Sequence, residues 1–380
     1  MRFPLIVAML VFLDAPVSAC TFCSGPIRAQ PTLRSRYSVA KIVAQGTLKN
    51  PRFDPQTDRG YTDFHFGAIL KDHPARGQSK TITLPKYLPV IGDTPPDYLL
   101  FCDVIDGKLD ALPGMPSRPA LVDYLKAAAA ITDDDPAKKL GFFFKHLDSA
   151  DASVAADAFL EFARASDAEI LKAAGQLDAG KLRALIADPN SPAERLSVYA
   201  FLLGVCGKPA DARFLADLVK QYPLPERTAA AFGGFLAGYI LLDPKEGWPL
   251  TASILADEKR GFSDRLAAIG TVRFFQATRT AESKSEVLKC CAALLPHGDL
   301  ADQAVEDLRR WGYWDFTAEV LAQFGKPTHA APIVRRSIVR YALTCPNEEA
   351  KSFIDSLRRT DPKLVRDVEE QLARFNLPRK

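Results

Sequence analysis

The sequence lacks the short motifs by which many enzymes are recognised. None of G-x-S-x-G, a P-loop, G-x-G-x-x-G or H-E-x-x-H occurs in its 380 residues. The five histidines are scattered, and no second C-x-x-C accompanies Cys20 and Cys23, so a four-ligand zinc site lacks two of its ligands. The sequence therefore predicts no cofactor, no metal and no catalytic residues.

An excess of charge of one sign is also missing. The 49 Lys and Arg face 46 Asp and Glu, the net charge is +3, and the two signs are mixed along the chain. This balance argues against nucleic acid as a partner. Beyond the N-terminus no apolar run approaches the roughly 20 residues that a bilayer requires. The length favours two or more domains.

The N-terminus has the pattern of a secretion signal. Arg2 supplies a positive charge, an apolar run covers residues 5–13, and Val-Ser-Ala at 17–19 provides the small residues that a signal peptidase needs before Cys20. Residues 1–19 are therefore predicted to be a signal peptide. We expect the mature protein to be exported to the periplasm or cell envelope.

Two signal peptidases fit the residues around Cys20, and both alternatives stay open. Residues 17–20 resemble the lipobox of bacterial lipoproteins, in which the cysteine is acylated, whereas Asp14 and Pro16 are more typical of an ordinary secretory signal. Acyl chains would hold the protein on a membrane surface, because each buried methylene contributes about 0.8 kcal/mol. A membrane surface is an expected partner only if Cys20 is acylated.

The seven cysteines form two groups. An exported protein meets an oxidising compartment, so Cys20, Cys23 and Cys102 are candidates for pairing. Acylation of Cys20 would leave Cys23 and Cys102 as a natural pair, and without it Cys20 and Cys23 compete for Cys102. We expect a Cys23–Cys102 disulfide. Four further cysteines lie on apolar helix stripes and are expected to be unbonded, namely Cys206, Cys290, Cys291 and Cys345.

Five β-strands are predicted before residue 117. The segments 39–48, 64–70, 81–84, 98–104 and 108–112 alternate or are continuously apolar. Asp106-Gly107 is a favoured hairpin turn between the last two strands. The Pro-, Asp- and Gly-rich segments 50–60 and 85–96 are predicted to be loops.

From residue 117 onward the pattern predicts only helices, beginning with Ser117 as N-cap. An acid–Arg pair recurs at the start of helical stretches, in Glu194-Arg195, Glu226-Arg227 and Asp264-Arg265, with Val334-Arg335 as a weaker echo. The spacings are near those of helical-hairpin repeats, which stack because one hairpin cannot cover its own apolar face.

One cluster near the C-terminus combines aromatic and basic side chains. Protein interaction sites are often enriched in such residues. The pattern favours a competing interpretation, in which two repeats meet at this point and the rings fill their shared core. The candidate interaction residues are Arg309, Arg310, Trp311, Tyr313 and Trp314.

Three resemblances bear on the fold. Cys20-Thr21-Phe22-Cys23, followed by Val-Ala-Lys-Ile-Val-Ala-Gln-Gly-Thr-Leu at 39–48, resembles the start of netrin-like and TIMP-like OB barrels. The inhibitors have C-x-C where this chain has C-x-x-C, and they have more cysteines, so the chain departs from the inhibitor pattern at the residues of the inhibitory wedge. The helical part is similar to HEAT-like repeats. The whole layout resembles uncharacterised exported planctomycete proteins that begin with a Cys-x-Phe-Cys segment.

These observations predict a multidomain α and β protein, in which a small OB-like β-barrel precedes an all-α HEAT-like solenoid. The expected divisions are a signal peptide (1–19), an OB/netrin-like β module (20–116), a helical connector (117–149) and a HEAT-like repeat domain (150–380). We expect a non-enzymatic protein-interaction scaffold of the cell envelope with a protein partner. The alternative is an inhibitor or ligand-binding module acting through the barrel, and an envelope enzyme ranks third.

The N-terminal pattern yields a direct prediction. Mass analysis of the exported protein should find a chain that begins at Cys20, with or without added acyl mass, and retention of Met1 would contradict it. If Cys20 is acylated, Cys20→Ala should release the protein from the membrane fraction, because the anchoring chains are lost. Unchanged membrane retention would rule out the lipid anchor.

Overall fold

The computed structural model describes Phe22, Ile27 and residues 29–90 and 95–375. The chain divides after Leu177 into two compact units. The first holds a five-stranded antiparallel sheet, and the second is helical. The fold is therefore mixed α and β, with the sheet preceding most of the helices, as the sequence predicted at this level.

The sheet has the strand order β3-β2-β1-β4-β5, and every neighbouring pair is antiparallel. The strands are β1 (Ile42–Asp54), β2 (Arg59–Lys71), β3 (Thr81–Leu84), β4 (Asp97–Ile105) and β5 (Lys108–Pro116). The apolar starts of β1 and β4 lie at its centre, where Ile42 and Cys102 are cross-strand partners within the core. A strand that is buried on both sides reads as a continuous apolar run.

The two hairpins differ in how well the sequence predicted them. Asp106 and Gly107 have φ of 50° and 73°, and Ile105 pairs with Lys108, so the predicted turn is confirmed. The predicted loop over 50–60 is wrong, because β1 and β2 continue through it as a two-stranded ribbon. Polar cross-strand contacts stabilise the ribbon, among them an ion pair of 3.0 Å between Arg52 Nη2 and Asp63 Oδ1.

In the described part of the first unit five α-helices accompany the sheet, and one of them precedes it. They are α1 (Leu33–Val39), α2 (Pro119–Ala129), α3 (Pro136–Lys145), α4 (Ala152–Arg164) and α5 (Asp167–Lys172). Helix α1 was not predicted. Its N-cap is Thr32, whose side chain accepts a hydrogen bond from Ser35 N–H. The N-cap of α2 is Arg118, one residue after the predicted Ser117.

The second unit consists of helices that follow one another closely along the chain. Its helices are α6 (Ala179–Ala187), α7 (Ala193–Cys206), α8 (Pro209–Lys220), α9 (Glu226–Ala229), α10 (Phe232–Leu242), α11 (Pro244–Ala256), α12 (Phe262–Thr278), α13 (Thr280–Leu294), α14 (Ala301–Trp311), α15 (Thr317–Leu321), α16 (Pro332–Thr344), α17 (Glu348–Thr360) and α18 (Pro362–Phe375). No helix in the described part of the chain combines the length and the hydropathy needed to cross a membrane.

We group consecutive helices into the pairs α7–α8, α10–α11, α12–α13, α14–α15 and α16–α17. Helix α7 contacts α10, α10 contacts α12, α14 contacts α16, and α16 contacts α18. Arg273 of α12 extends this layer to α14 by donating to Asp307 at 2.7 Å and to Gln303 at 2.9 Å. In a second layer α11 contacts α13, and α15 contacts α17. Each pair therefore packs mainly on its neighbours in sequence.

Side chains connect the loops that join one pair to the next, and we call these contacts the loop ladder. Arg227 donates to the carbonyl of Pro189, Arg260 to that of Gln221, and Arg265 to the carboxylate of Asp299. His329 Nε2 donates to the carbonyl of Leu295 at 2.8 Å. These partners are 38, 39, 34 and 34 residues apart in sequence. The sequence separation between the two partners is therefore similar in all four contacts and close to the length of one helix pair.

Helices α7 and α10 approach so closely that only glycine fits at their crossing. A Cβ on Gly238 would lie 2.4 Å from the carbonyl oxygen of Ala200, and one on Gly204 would lie 2.4 Å from Cα of Gly238. Glycine in a helix interior costs about 0.5–1 kcal/mol relative to alanine. The close packing of the two backbones offsets that cost.

A matched pair of substitutions tests this crossing. Gly238→Ala should lower the free energy of unfolding by about 1–3 kcal/mol, because α10 must move away from Ala200. Gly270→Ala, in the interior of α12 with no atom within 4 Å of the new Cβ, should instead raise it by about 0.5–1 kcal/mol. Urea unfolding measures the free energy of unfolding of both variants. Equal changes in the two variants would show that the close approach of α7 and α10 does not require glycine.

Candidate functional site

The candidate aromatic cluster lies where α14 ends. Gly312 has a φ of 68° and is the left-handed residue that ends the helix. The N–H of Tyr313 then donates to the carbonyl of Leu308 at 2.9 Å, which turns the chain toward α15. The turn places the aromatic side chains at the end of the pair α14–α15, among residues of the neighbouring pairs.

Two of the predicted residues are packed between helix pairs. Tyr313 is 8% exposed, and its hydroxyl accepts a hydrogen bond of 2.8 Å from Nε2 of Gln276 in α12. The ammonium of Lys284 lies 4.7 Å from the centre of the same ring. Trp314 packs edge-on against Tyr341 of α16, with ring centres 5.0 Å apart. Both rings are therefore packed against residues of other helices.

The remaining three residues of the cluster differ in exposure. Arg309 is held by Glu306 at 2.9 Å, and Glu306 also pairs with Arg340 of α16. Trp311 is half-buried beside Tyr313, with ring centres 5.9 Å apart. Arg310 is exposed. The accessible part of the cluster is therefore Arg310 with the outer surfaces of Trp311 and the half-buried Trp314.

Sequence reasoning missed the residues that hold this cluster in place. Gln276, Lys284 and Tyr341 come from three different helices. Tyr341 donates from its hydroxyl to the carbonyl of Tyr313 at 3.2 Å, across 28 residues of sequence. Gln276 is 37 residues from Tyr313. These separations are close to the length of one helix pair, so the repeat spacing is the only signal that could have found them.

The predicted lipidation and disulfide residues lie mostly outside the described residues. Cys20 and Cys23 are among the undescribed positions, so acylation and the Cys23–Cys102 bond stay predictions. Cys102 is fully buried in β4, and burial raises the pKa of its thiol to about 12. The four cysteines of the helical unit are free thiols.

An acid with a shifted pKa lies in the first unit, and its environment explains the shift. Burial raises the pKa of Asp157 in α4 to about 6, although two hydrogen bonds oppose this. Its carboxylate accepts from Leu33 N–H at 2.6 Å and from the Tyr124 hydroxyl at 2.8 Å. Arg34 pairs nearby with Glu161 at 3.4 Å. The group thus anchors α1 to α2 and α4.

Among the described residues, no group of three His, Cys, Asp or Glu side chains is placed to hold a metal ion. One histidine has a clear structural role. His329 is 1% exposed, and its Nδ1 lies 2.9 Å from the Thr328 hydroxyl while Nε2 donates within the loop ladder.

A cavity of about 210 Å³ lies in the first unit between the two edges of the sheet. Leu84 at the end of β3 and Leu88 after it form one side, and Leu112 and Gly114 of β5 form the other. Tyr98 of β4 contributes its ring, and burial raises the pKa of its hydroxyl. The walls are mainly apolar, which suits an apolar ligand better than a charged one.

Comparison of the chain with protein-family models, with curated proteins and with solved structures gave no match. The structure itself defines the class as a five-stranded antiparallel sheet followed by a helical unit.

Two substitutions should separate packing from surface in the cluster. Tyr313→Phe should lower the free energy of unfolding by about 1–3 kcal/mol, because the buried Gln276 amide loses its partner. Arg310→Ala should change it by less than about 0.5 kcal/mol, because the side chain is exposed. Thermal and urea unfolding measure both, and a neutral Tyr313→Phe would contradict the packing described here.

Proposed function

We propose that this chain is an exported, non-enzymatic scaffold of the cell envelope, whose helical unit presents a long surface to a partner protein. The loop ladder is the observation that carries the proposal. Contacts repeated every 34 to 39 residues tie each helix pair to the next, as in arrays where repeats are stable only together. Such arrays offer extended surfaces for binding proteins.

The finer fold is part of the same proposal. The two helix layers and the ladder support a HEAT-like solenoid, in which the first helices of successive pairs stack on one another. For the sheet, the order β3-β2-β1-β4-β5 is that of a five-stranded OB-like barrel opened between β3 and β5. The cavity bounded by both edge strands supports a sheet curved in this way.

A second function is favoured by that cavity. The sheet module would bind a ligand or act as an inhibitor, with a small apolar group held between Leu84 and Leu112. Export rests on the signal-like residues 1–19, and contact with a membrane rests on acylation of Cys20; both remain proposals from the sequence. The proposal includes no cofactor and no nucleic-acid partner.

Site-specific photo-cross-linking in intact cells tests the scaffold function. A photoreactive phenylalanine analogue that replaces Arg310 should give a discrete cross-linked species, because this exposed position borders the half-buried Trp311. The same analogue in place of Arg213, an exposed arginine of α8, should not give that species. Identical products at both positions, or none at Arg310 and at further exposed positions of the helical unit, would contradict the proposal.

A further inference from the structure

One face of α4 holds the segment that precedes the sheet. Asp157, Glu161 and Arg164 follow one another at intervals of about one helical turn, so their side chains lie on the same face. The contacts join Asp157 Oδ1 to Leu33 N–H at 2.6 Å, Glu161 Oε2 to Arg34 Nη2 at 3.4 Å, and Arg164 Nη1 to the carbonyl of Gln30 at 3.2 Å. We call these three contacts the clasp, because together they attach residues 30–34 to α4.

The acidic side chains of the clasp are removed from water. Asp157 is 4% exposed and Glu161 is 5% exposed. Within the described residues, Oε1 of Glu161 and Nε of Arg34 have no hydrogen-bond partner, although both atoms are buried. A buried charge is costly unless it is fully paired and hydrogen-bonded. The clasp therefore contains two carboxylates on neighbouring turns whose ionisation is only partly compensated.

Asp157 is the group on which attachment of this segment depends most directly. Its second oxygen accepts from the Tyr124 hydroxyl at 2.8 Å, so one carboxylate joins α1, α2 and α4. The charged and titratable groups that face it are Arg34 and Arg36 of α1, Tyr124 of α2, Glu161 of α4 and, beyond the Tyr124 ring, His146 at the end of α3, with ring centres 5.0 Å apart.

Ionisation of Asp157 opposes the attachment. Burial is the largest influence and raises the pKa of this carboxyl from its ordinary value of 3.8 to about 6, against the hydrogen bonds from Leu33 and Tyr124. When the segment is released the carboxyl returns to water, and its pKa returns toward 3.8. The attached state therefore binds the proton more tightly than the released state. Attachment is strongest below about pH 4 and weakens as the pH rises through about 6.

We propose that the clasp is a pH-sensitive attachment of residues 30–34 and α1 to the first unit, tightened when Asp157 is protonated and loosened when it ionises. The inference is independent of the scaffold function. Cys20, the predicted mature N-terminus, precedes this segment in the sequence. The clasp would therefore set how firmly the N-terminal end of the chain is held to the first unit.

Hydrogen exchange at one amide of the full mature chain tests the inference. Because Leu33 N–H donates to Asp157, its exchange with solvent reports release of the clasp. The protection factor is the exchange rate of an unfolded peptide divided by the observed rate at the same pH, so it removes the intrinsic pH dependence of exchange. For Leu33 it should fall about tenfold between about pH 5 and about pH 7.5. The amide of Leu236, fully buried in α10 of the second unit, should keep its protection factor.

Matched variants show whether Asp157 is responsible. Asp157→Asn keeps an acceptor oxygen for Leu33 but cannot ionise, so the protection factor of Leu33 should no longer fall over this range. Asp123→Asn replaces an exposed acid beside Tyr124 in α2 and should leave the tenfold fall intact. Tyr124→Phe removes a hydrogen bond that favours the ionised form, so the midpoint of the fall should move to higher pH.

Two outcomes would overturn the inference. One is a protection factor of Leu33 that stays constant from about pH 5 to about pH 7.5 in the unsubstituted protein. The other is a fall that survives Asp157→Asn, because the titrating group would then be another one, such as His146. The carboxyl carbon signal of Asp157 in NMR spectra gives a second measurement that needs no substitution. Its titration should have a midpoint near about pH 6, and a midpoint near about pH 4 would contradict the proposed coupling.

Discussion

The helical unit depends on contacts between the loops that join successive helix pairs. Arg227, Arg260 and His329 each donate to a carbonyl of a neighbouring loop, and a loop carbonyl near such a side chain gains a partner it would otherwise seek in water. Each contact joins two residues that are about one helix pair apart in sequence. It therefore fixes the position of a helix pair relative to its neighbour. Two of the three acid–Arg pairs thus have a structural explanation, because Arg227 and Arg265 each bind a residue in a loop of a neighbouring helix pair.

The first unit has its own polar anchor. Asp157 and Glu161 of α4 hold Leu33 and Arg34 of α1, so the helix before the sheet is fixed to helices that follow it. The carboxylate of Asp157 is desolvated to make these contacts, and its raised pKa is the consequence. A shifted acid can mark catalysis, but here the hydrogen bonds to Leu33 and Tyr124 account for its position.

In the aromatic cluster of the second unit, some side chains are used for packing and others are exposed to solvent. Tyr313 is used for packing, whereas Arg310 is exposed and Trp311 is half-buried beside it.

The sequence alone determined the local features of this protein. Alternation and turn chemistry predicted the strands and the Asp106-Gly107 hairpin, because both depend on neighbouring residues. The polar ribbon formed by β1 and β2 was mistaken for a loop, since its stability comes from pairing across strands rather than from composition. Only the tertiary structure decided which of Trp311, Tyr313 and Trp314 are packed, because Gln276 and Tyr341 approach them from other helices.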